Sequence, residues 1–434
     1  MQTSENAPTV EGAMDTKGTP NVEGALTTEG TPNVESAQTV EDAPTVESTE
    51  YRSGFYREAG FHDAHSPPDY GAQSPVTREA FAYDFFPATV EASTAETSTA
   101  EVSSPAPLLV WVHGGAWRFG TNQALRDTIL RTPGGEQPNT QALMRAAFQQ
   151  AGWAVASINY RYSHQALFPG ALHDVKEAVR FFRANAHEFG IDPQRIAVAG
   201  GSAGGHLSML VAHTGDSAAD ASVPEDSAFG DSASAPEHAE HDEYFEGRAA
   251  SAYPSHSSQV AAAASFYGVS DLRTIFTDRP LAGYALDHPE DDGAEWRLLG
   301  STHPVPSDLS TLDASKGERA VPGVCIDRAQ KNWERAHPID AVRPQKRVNK
   351  FESASAQGAS GGATALMLVH GISDSCVPYQ QSVRVYQTLR TRQVPTDLVL
   401  VPDAEHGDSR CFSPDIVQQM LLFLNRAVQF NRAV

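Results

Sequence analysis

The sequence is short of several things that would have pointed elsewhere. Its three cysteines, Cys325, Cys376 and Cys411, leave one thiol over in any pairing and show no zinc-ligand spacing. That fits a reducing compartment better than a disulfide framework. The opening residues, MQTSENAPTV, carry neither a basic stretch nor an apolar run. No segment approaches the roughly 18 apolar residues of a membrane span, so the expectation is a soluble, cytoplasmic protein. Positive charge is scarce as well: 32 Lys and Arg stand against 54 Asp and Glu, a net charge of −22. Nucleic acid and anionic membranes are therefore poor partners.

The acidity is unevenly placed. Residues 4–50 hold ten acids against Lys17 alone, and residues 216–248 hold ten against Arg248 alone, which leaves only −4 for the rest of the 434 residues. The charge thus belongs to a tail and an insertion and describes no catalytic surface. Within the first 50 residues a short unit recurs, with Pro8, Pro20, Pro32 and Pro44 twelve residues apart. Each unit offers one valine and no aromatic, too little apolar surface to repay ordering, so residues 1–50 are expected to be a disordered acidic tail.

The remainder, 51–434, reads as one α/β domain with insertions. Strand signals (Phe81–Phe86, Leu108–His113, Ala154–Asn159, Arg195–Ala199, Val260–Tyr267, Ala365–Val369, Asp397–Val401) alternate with helical ones (Thr140–Gln150, Ala171–Phe189, His206–His213, Pro414–Phe430). Alternation of this kind predicts a mostly parallel central sheet with helices on both faces. The unbroken LLVWV run suits a strand buried on both sides, and in the last helix Leu421, Leu422, Leu424 and Val428 are expected to turn inward. Polar insertions at about 91–106 and 215–258 decorate this core at little closure cost. A third, at about 277–350, carries Trp296, Leu298 and Trp333 and is expected to fold over the active site as a lid.

A serine hydroxyl is a poor nucleophile at neutral pH. It needs a constrained turn that exposes it, a base beside it, and donors waiting for the oxyanion. Gly200-Gly201-Ser202-Ala203-Gly204 lies between a strand signal and a helix signal, where small residues let the two elements approach. A second match, Gly358-Ala359-Ser360-Gly361-Gly362, has no strand before it and no amphipathic helix after it, which argues against it. Downstream of the third strand, His113-Gly114-Gly115-Ala116-Trp117 offers a glycine-rich loop. There the N–H groups of Gly114 and Gly115, with that of Ala203, could form the oxyanion hole.

The acid and base should follow in the order Ser, Asp, His, each just past a strand end. Asp374 lies beyond Ala365–Val369 and His406 beyond Asp397–Val401. His406 is the base expected, with Asp374 as the acid that orients it. Asp271, Asp403 and Glu405 are rival acids, although Asp271 also reads as an ordinary N-cap for residues from Leu272. His113 and His370, each before a glycine at a strand end, are read as structural. Cys376 and Cys411 lie close in sequence to Asp374 and His406, so they become neighbours if those loops converge, with two reduced thiols the favoured state.

Taken together, WVHGGAW, NYRYS, IAVAGGSAGGHL, LVHGISDSCVP and AEHG resemble the α/β-hydrolase superfamily, in particular its BD-FAE and hormone-sensitive-lipase-like esterases. The resemblance runs from about Phe81 to the C-terminus, and HGG-x-W with GGSAGGHL is closer to the BD-FAE members. It implies a serine carboxylesterase acting on short-chain or carbohydrate-linked esters, small molecules, with no cofactor and no metal. The insertions after Thr214 and before the Asp374 strand depart from the pattern. Arylformamidases and prolyl-type peptidases share parts of it, though no large repeat domain of the peptidase kind precedes this core. A non-catalytic binding protein on the same fold is the alternative of a different class.

Overall fold

The computed structural model describes residues 51–57, 76–89, 104–132, 135–215, 243–283, 293–300, 332–341 and 364–430. The repeats of residues 1–50 and the second glycine–serine match at 358–362 lie outside the described residues. So do Cys325 and most of the 277–350 insertion.

Eight strands make one sheet. They are β1 (Arg52–Phe55), β2 (Ala82–Phe86), β3 (Ala106–Val112), β6 (Ala154–Ile158), β7 (Ile191–Gly201), β8 (Ala262–Phe266), β9 (Ala365–Gly371) and β10 (Thr396–Val401). Their spatial order is β1-β2-β6-β3-β7-β8-β9-β10. Only β1–β2 and β2–β6 pair antiparallel, and every pairing from β6 to β10 is parallel. A separate exposed hairpin, β4 (Ile129–Thr132) and β5 (Gly135–Pro138), has no counterpart in the strand signals.

The reason the sheet must be covered twice is visible in β3. Leu108, Val110 and Val112 point into one apolar cluster and Leu109 and Trp111 into the other. Successive strand side chains face opposite ways, so a continuous apolar run demands a core on each side. The first cluster also takes Val175 and Phe182 from α2 (Gly170–Ala184) and Leu207 and Leu210 from α4 (Ala203–Thr214). The second takes Met144 and Phe148 of α1 (Thr140–Gln150), which Asn139 caps by accepting from Ala142 N–H. It also takes Met420 and Leu424 of the C-terminal helix Pro414–Phe430.

Three local expectations need correction. The helix expected over 171–189 is two helices: the backbone leaves helical geometry at Asn185, φ −103° and ψ 20°, where both the backbone N–H and the side-chain amide donate to Phe181 O. A short helix α3 (Ala186–Phe189) follows and ends at Gly190, φ 64°. In the C-terminal helix Leu421, Leu424 and Val428 are buried as expected, but Leu422 is 53% exposed. It sits on the far side of the 3.6-residue turn from Leu424. Finally, residues 243–258 are not a bare acidic loop: Phe245 and Glu246 are buried, and Glu246 pairs with Lys176 and Arg180 of α2.

The described parts of the third insertion are pinned to the body. Leu298 and Trp333 join the first cluster, and the Leu298 carbonyl accepts from Phe168 N–H at 2.8 Å. Among the described residues, no helix is long and apolar enough to cross a membrane.

Candidate active site

The turn between β7 and α4 is a single residue. Ser202 has φ 55° and ψ −118°, a backbone state that a residue with a side chain adopts only when its surroundings force it. The glycines around it explain how. A Cβ on Gly200 would lie 2.5 Å from Val112 O, and one on Gly204 2.0 Å from the same oxygen. The helix therefore starts against the end of β3 with no room for a methyl group. The strand expected over 195–199 thus runs on to Gly201, and α4 begins at Ala203 rather than His206. Ser202 N–H donates to Phe266 O at 2.9 Å, which ties the turn to the end of β8.

Two further loops bring their side chains to this hydroxyl. His406, past β10, places Nε2 3.0 Å from Ser202 Oγ. Its Nδ1 is 2.7 Å from Asp374 Oδ2, on the loop past β9. A carboxylate can only accept, so Nδ1 carries the hydrogen and Nε2 turns its lone pair to the seryl O–H. Asp374 is buried, and its Oδ1 accepts from Val377 N–H at 2.8 Å. Burial opposes its ionisation, but hydrogen bonds from His370 and His406, and their charge, outweigh that and hold the carboxyl at about 2. Ser202, Asp374 and His406 are thus brought together from positions more than 30 and 200 residues apart.

The rival acids do not take this place, since His406 Nδ1 meets Asp374, and Asp403 and Glu405 are exposed. Asp271 accepts from Arg273 N–H at 3.0 Å and pairs with the Arg273 guanidinium at 2.8 Å in a local turn; it caps no helix at Leu272, since the helix that follows begins at Ile275. Asp403 is exposed with φ 55° and presents its backbone carbonyl to Arg410. Cys376 and Cys411 are both free thiols, pushed by burial up to about 11 and about 12.

The glycine-rich loop lies against the serine. A Cβ on Gly114 would stand 2.9 Å from Gly201 O and 3.3 Å from Ser202 Cβ. Gly115 has φ +106°, and its carbonyl accepts from Arg118 and Phe119 N–H, which closes the loop. Ala203 is the first residue of α4, where the N–H has no intrahelical acceptor and the helix end favours negative charge. His113 is structural, as expected. Its ring stacks on Tyr160 at 4.4 Å, Nδ1 meets Gly114 O at 2.7 Å, and burial lowers it to about 4.

Two neighbours of the triad escaped the sequence reading. Tyr267, φ 40°, packs edge-on against the His406 ring at 4.9 Å, and its hydroxyl would lie 2.9 Å from a Cβ on Gly201. Burial raises its phenol well above the usual range. A tyrosine directly past a strand end, before a glycine, was the available signal. The other is His370, whose contact with Asp374 depends on a loop conformation that spacing does not reveal. The third insertion reaches the same region: Arg279 Nε donates to Cys376 O at 2.8 Å, and His206 Nε2 to Ala336 O at 2.9 Å.

A serine on a one-residue elbow after the central strand of a mostly parallel sheet, approached from the next strand ends, is the arrangement of the α/β-hydrolase fold. Residues 97–312 match the BD-FAE family and residues 327–431 the prolyl oligopeptidase family. Esterase LipC of Mycobacterium tuberculosis is 40% identical over 126 residues, 29% of this chain and 28% of that protein. Carboxylesterase NlhH of the same species is 32% identical over 147 residues, 34% of this chain and 40% of that protein. The first three curated relatives are matched over only 23%, 28% and 22% of their own length. A truncated carbohydrate esterase from gut microbiota has the same fold, at a TM-score of 0.50 and 20% identity, over 87% of this chain and all of that one.

Proposed function

We propose that the protein is a serine carboxylesterase in which Ser202 is the nucleophile, His406 the general base and Asp374 the acid that orients it. The observation that carries this reading is the unbroken relay from Ser202 Oγ to His406 Nε2 at 3.0 Å and from His406 Nδ1 to Asp374 at 2.7 Å. In this reading Nε2 takes the seryl proton as Oγ attacks the ester carbonyl. The N–H groups of Gly114, Gly115 and Ala203 receive the oxyanion, and the alcohol leaves with the proton from His406. Water then attacks the acyl-enzyme by the same route and frees the acid. No step calls on a metal or cofactor. A short-chain or carbohydrate-linked ester as substrate is supported by the esterase names among the relatives and by the BD-FAE match. The prolyl oligopeptidase match over the acid and base loops keeps amide cleavage as the reading to test against.

The test is direct. Turnover of p-nitrophenyl acetate should vanish in Ser202→Ala, and a fluorophosphonate should label the parent protein but not the variant. Retained turnover in Ser202→Ala, or a parent that does not label, overturns the assignment. Faster cleavage of proline dipeptide amides or N-formylkynurenine than of acetyl esters would move the substrate class.

A further inference from the structure

Behind the acid stands a second imidazole. His370 is fully buried on β9, four residues before Asp374. Its Nε2 lies 2.6 Å from Val377 O and 3.4 Å from Asp374 Oδ2. Its Nδ1 lies 2.7 Å from Ser382 Oγ, on the helix Gln380–Thr391. A carbonyl oxygen only accepts, so Nε2 carries a hydrogen whatever the charge of the ring. That hydrogen is directed at Val377 O and stands against the same carboxylate oxygen that receives His406 Nδ1–H.

Val377 is held from both ends: its N–H donates to Asp374 Oδ1 at 2.8 Å and its carbonyl accepts from His370. Two hydrogen bonds thus hold the carboxylate, from Val377 N–H at one oxygen and His406 Nδ1–H at the other, and the His370 ring stands 3.4 Å from the second oxygen. Burial raises the Cys376 and Cys411 thiols and the Tyr267 phenol, so all three are neutral at pH 7.

We propose that His370 is a positioning residue for the relay. It fixes the loop from Asp374 to Val377, and with it the rotamer in which Oδ2 meets His406, while Ser382 fixes the His370 ring. The inference rests on the Ser202–His406–Asp374 reading above and deepens it. A carboxylate with two rotatable bonds and a single imidazole partner would lose that alignment part of the time, and each misaligned molecule is lost to turnover rather than to substrate binding.

Three variants of the full chain test it, with p-nitrophenyl acetate as substrate. His370→Leu keeps bulk and removes both nitrogens. Its kcat should fall by roughly tenfold to a hundredfold, the usual range when a supporting hydrogen bond behind a working group is lost. KM should stay within about twofold, since no substrate contact is touched. His370→Gln restores an N–H at a similar reach and should recover most of kcat. Ser382→Ala leaves His370 and Asp374 in place and should cost a smaller part of kcat, which keeps the idea testable if the leucine variant fails to fold.

A leucine variant with parental kcat overturns the proposal. So does a glutamine variant as slow as the leucine one, because packing rather than the N–H would then matter. If the leucine variant does not fold, a Ser382→Ala variant with unchanged kcat is the overturning result. Failure here is separable from failure of the triad: only the latter leaves Ser202→Ala active.

Discussion

At the scale of single residues, the site is a set of side chains each held in a state it would not choose alone. Ser202 keeps a positive φ because glycines on either side allow strand and helix to close on it. Asp374 keeps its charge in a buried place because N–H groups converge on it. Asp374→Asn should therefore leave the fold intact yet cut kcat by about 10⁴, as in other triads, because an amide donor turns the imidazole to the wrong tautomer. Steady-state kinetics beside a circular-dichroism spectrum would check both halves. These two positions were legible in sequence through their strand-end loops. The contacts that Tyr267 and His370 make with the relay were not, since both depend on loop geometry.

Elements carry the next level of consequence. The C-terminal helix Pro414–Phe430 covers one face of the sheet with Met420, Leu424 and Val428, while Leu422 faces solvent. Leu424→Ala should lose about 2–5 kcal/mol, and Leu422→Gln should stay within about 0.5 kcal/mol, both read from denaturant midpoints. A loss at Leu422 as large as at Leu424 would mean that the outer face is covered. At the start of α4, Gly204→Ala places a methyl 2.0 Å from Val112 O, against backbone that cannot yield. That variant should be recovered unfolded or aggregated rather than folded and inactive, as size-exclusion chromatography would show.

For the whole molecule, buried histidines set the response to acid. Burial lowers His113, His206, His213 and His337 to about 4 each, below the ordinary value near 6.5. The unfolded chain therefore binds more protons than the folded one between about pH 6.5 and 4, and stability falls as pH drops through that window. Asp374, held at about 2, has the same sign at lower pH: its contribution is present above about 4 and lost as pH falls toward 2. The melting temperature should fall steadily from pH 7 to pH 4.5. Calorimetry in buffers of different ionisation heat should register net proton uptake on unfolding; no uptake at pH 5 would contradict the burial of these rings.

By itself the sequence determined most of the elements of the central sheet and which residues are the candidates for the chemistry. Strand periodicity, a glycine elbow and strand-end loops are local patterns, and local sterics write them directly into the residue order. Whether Asp374 or Asp271 meets His406 was decided only in the folded chain. Both aspartates follow strands of one parallel sheet, and only the loop paths and the Arg273 partner separate them. The same holds for the break at Asn185, the outward turn of Leu422 and the imidazole behind the acid. Each depends on what packs against a residue in space, and spacing along the chain does not encode that.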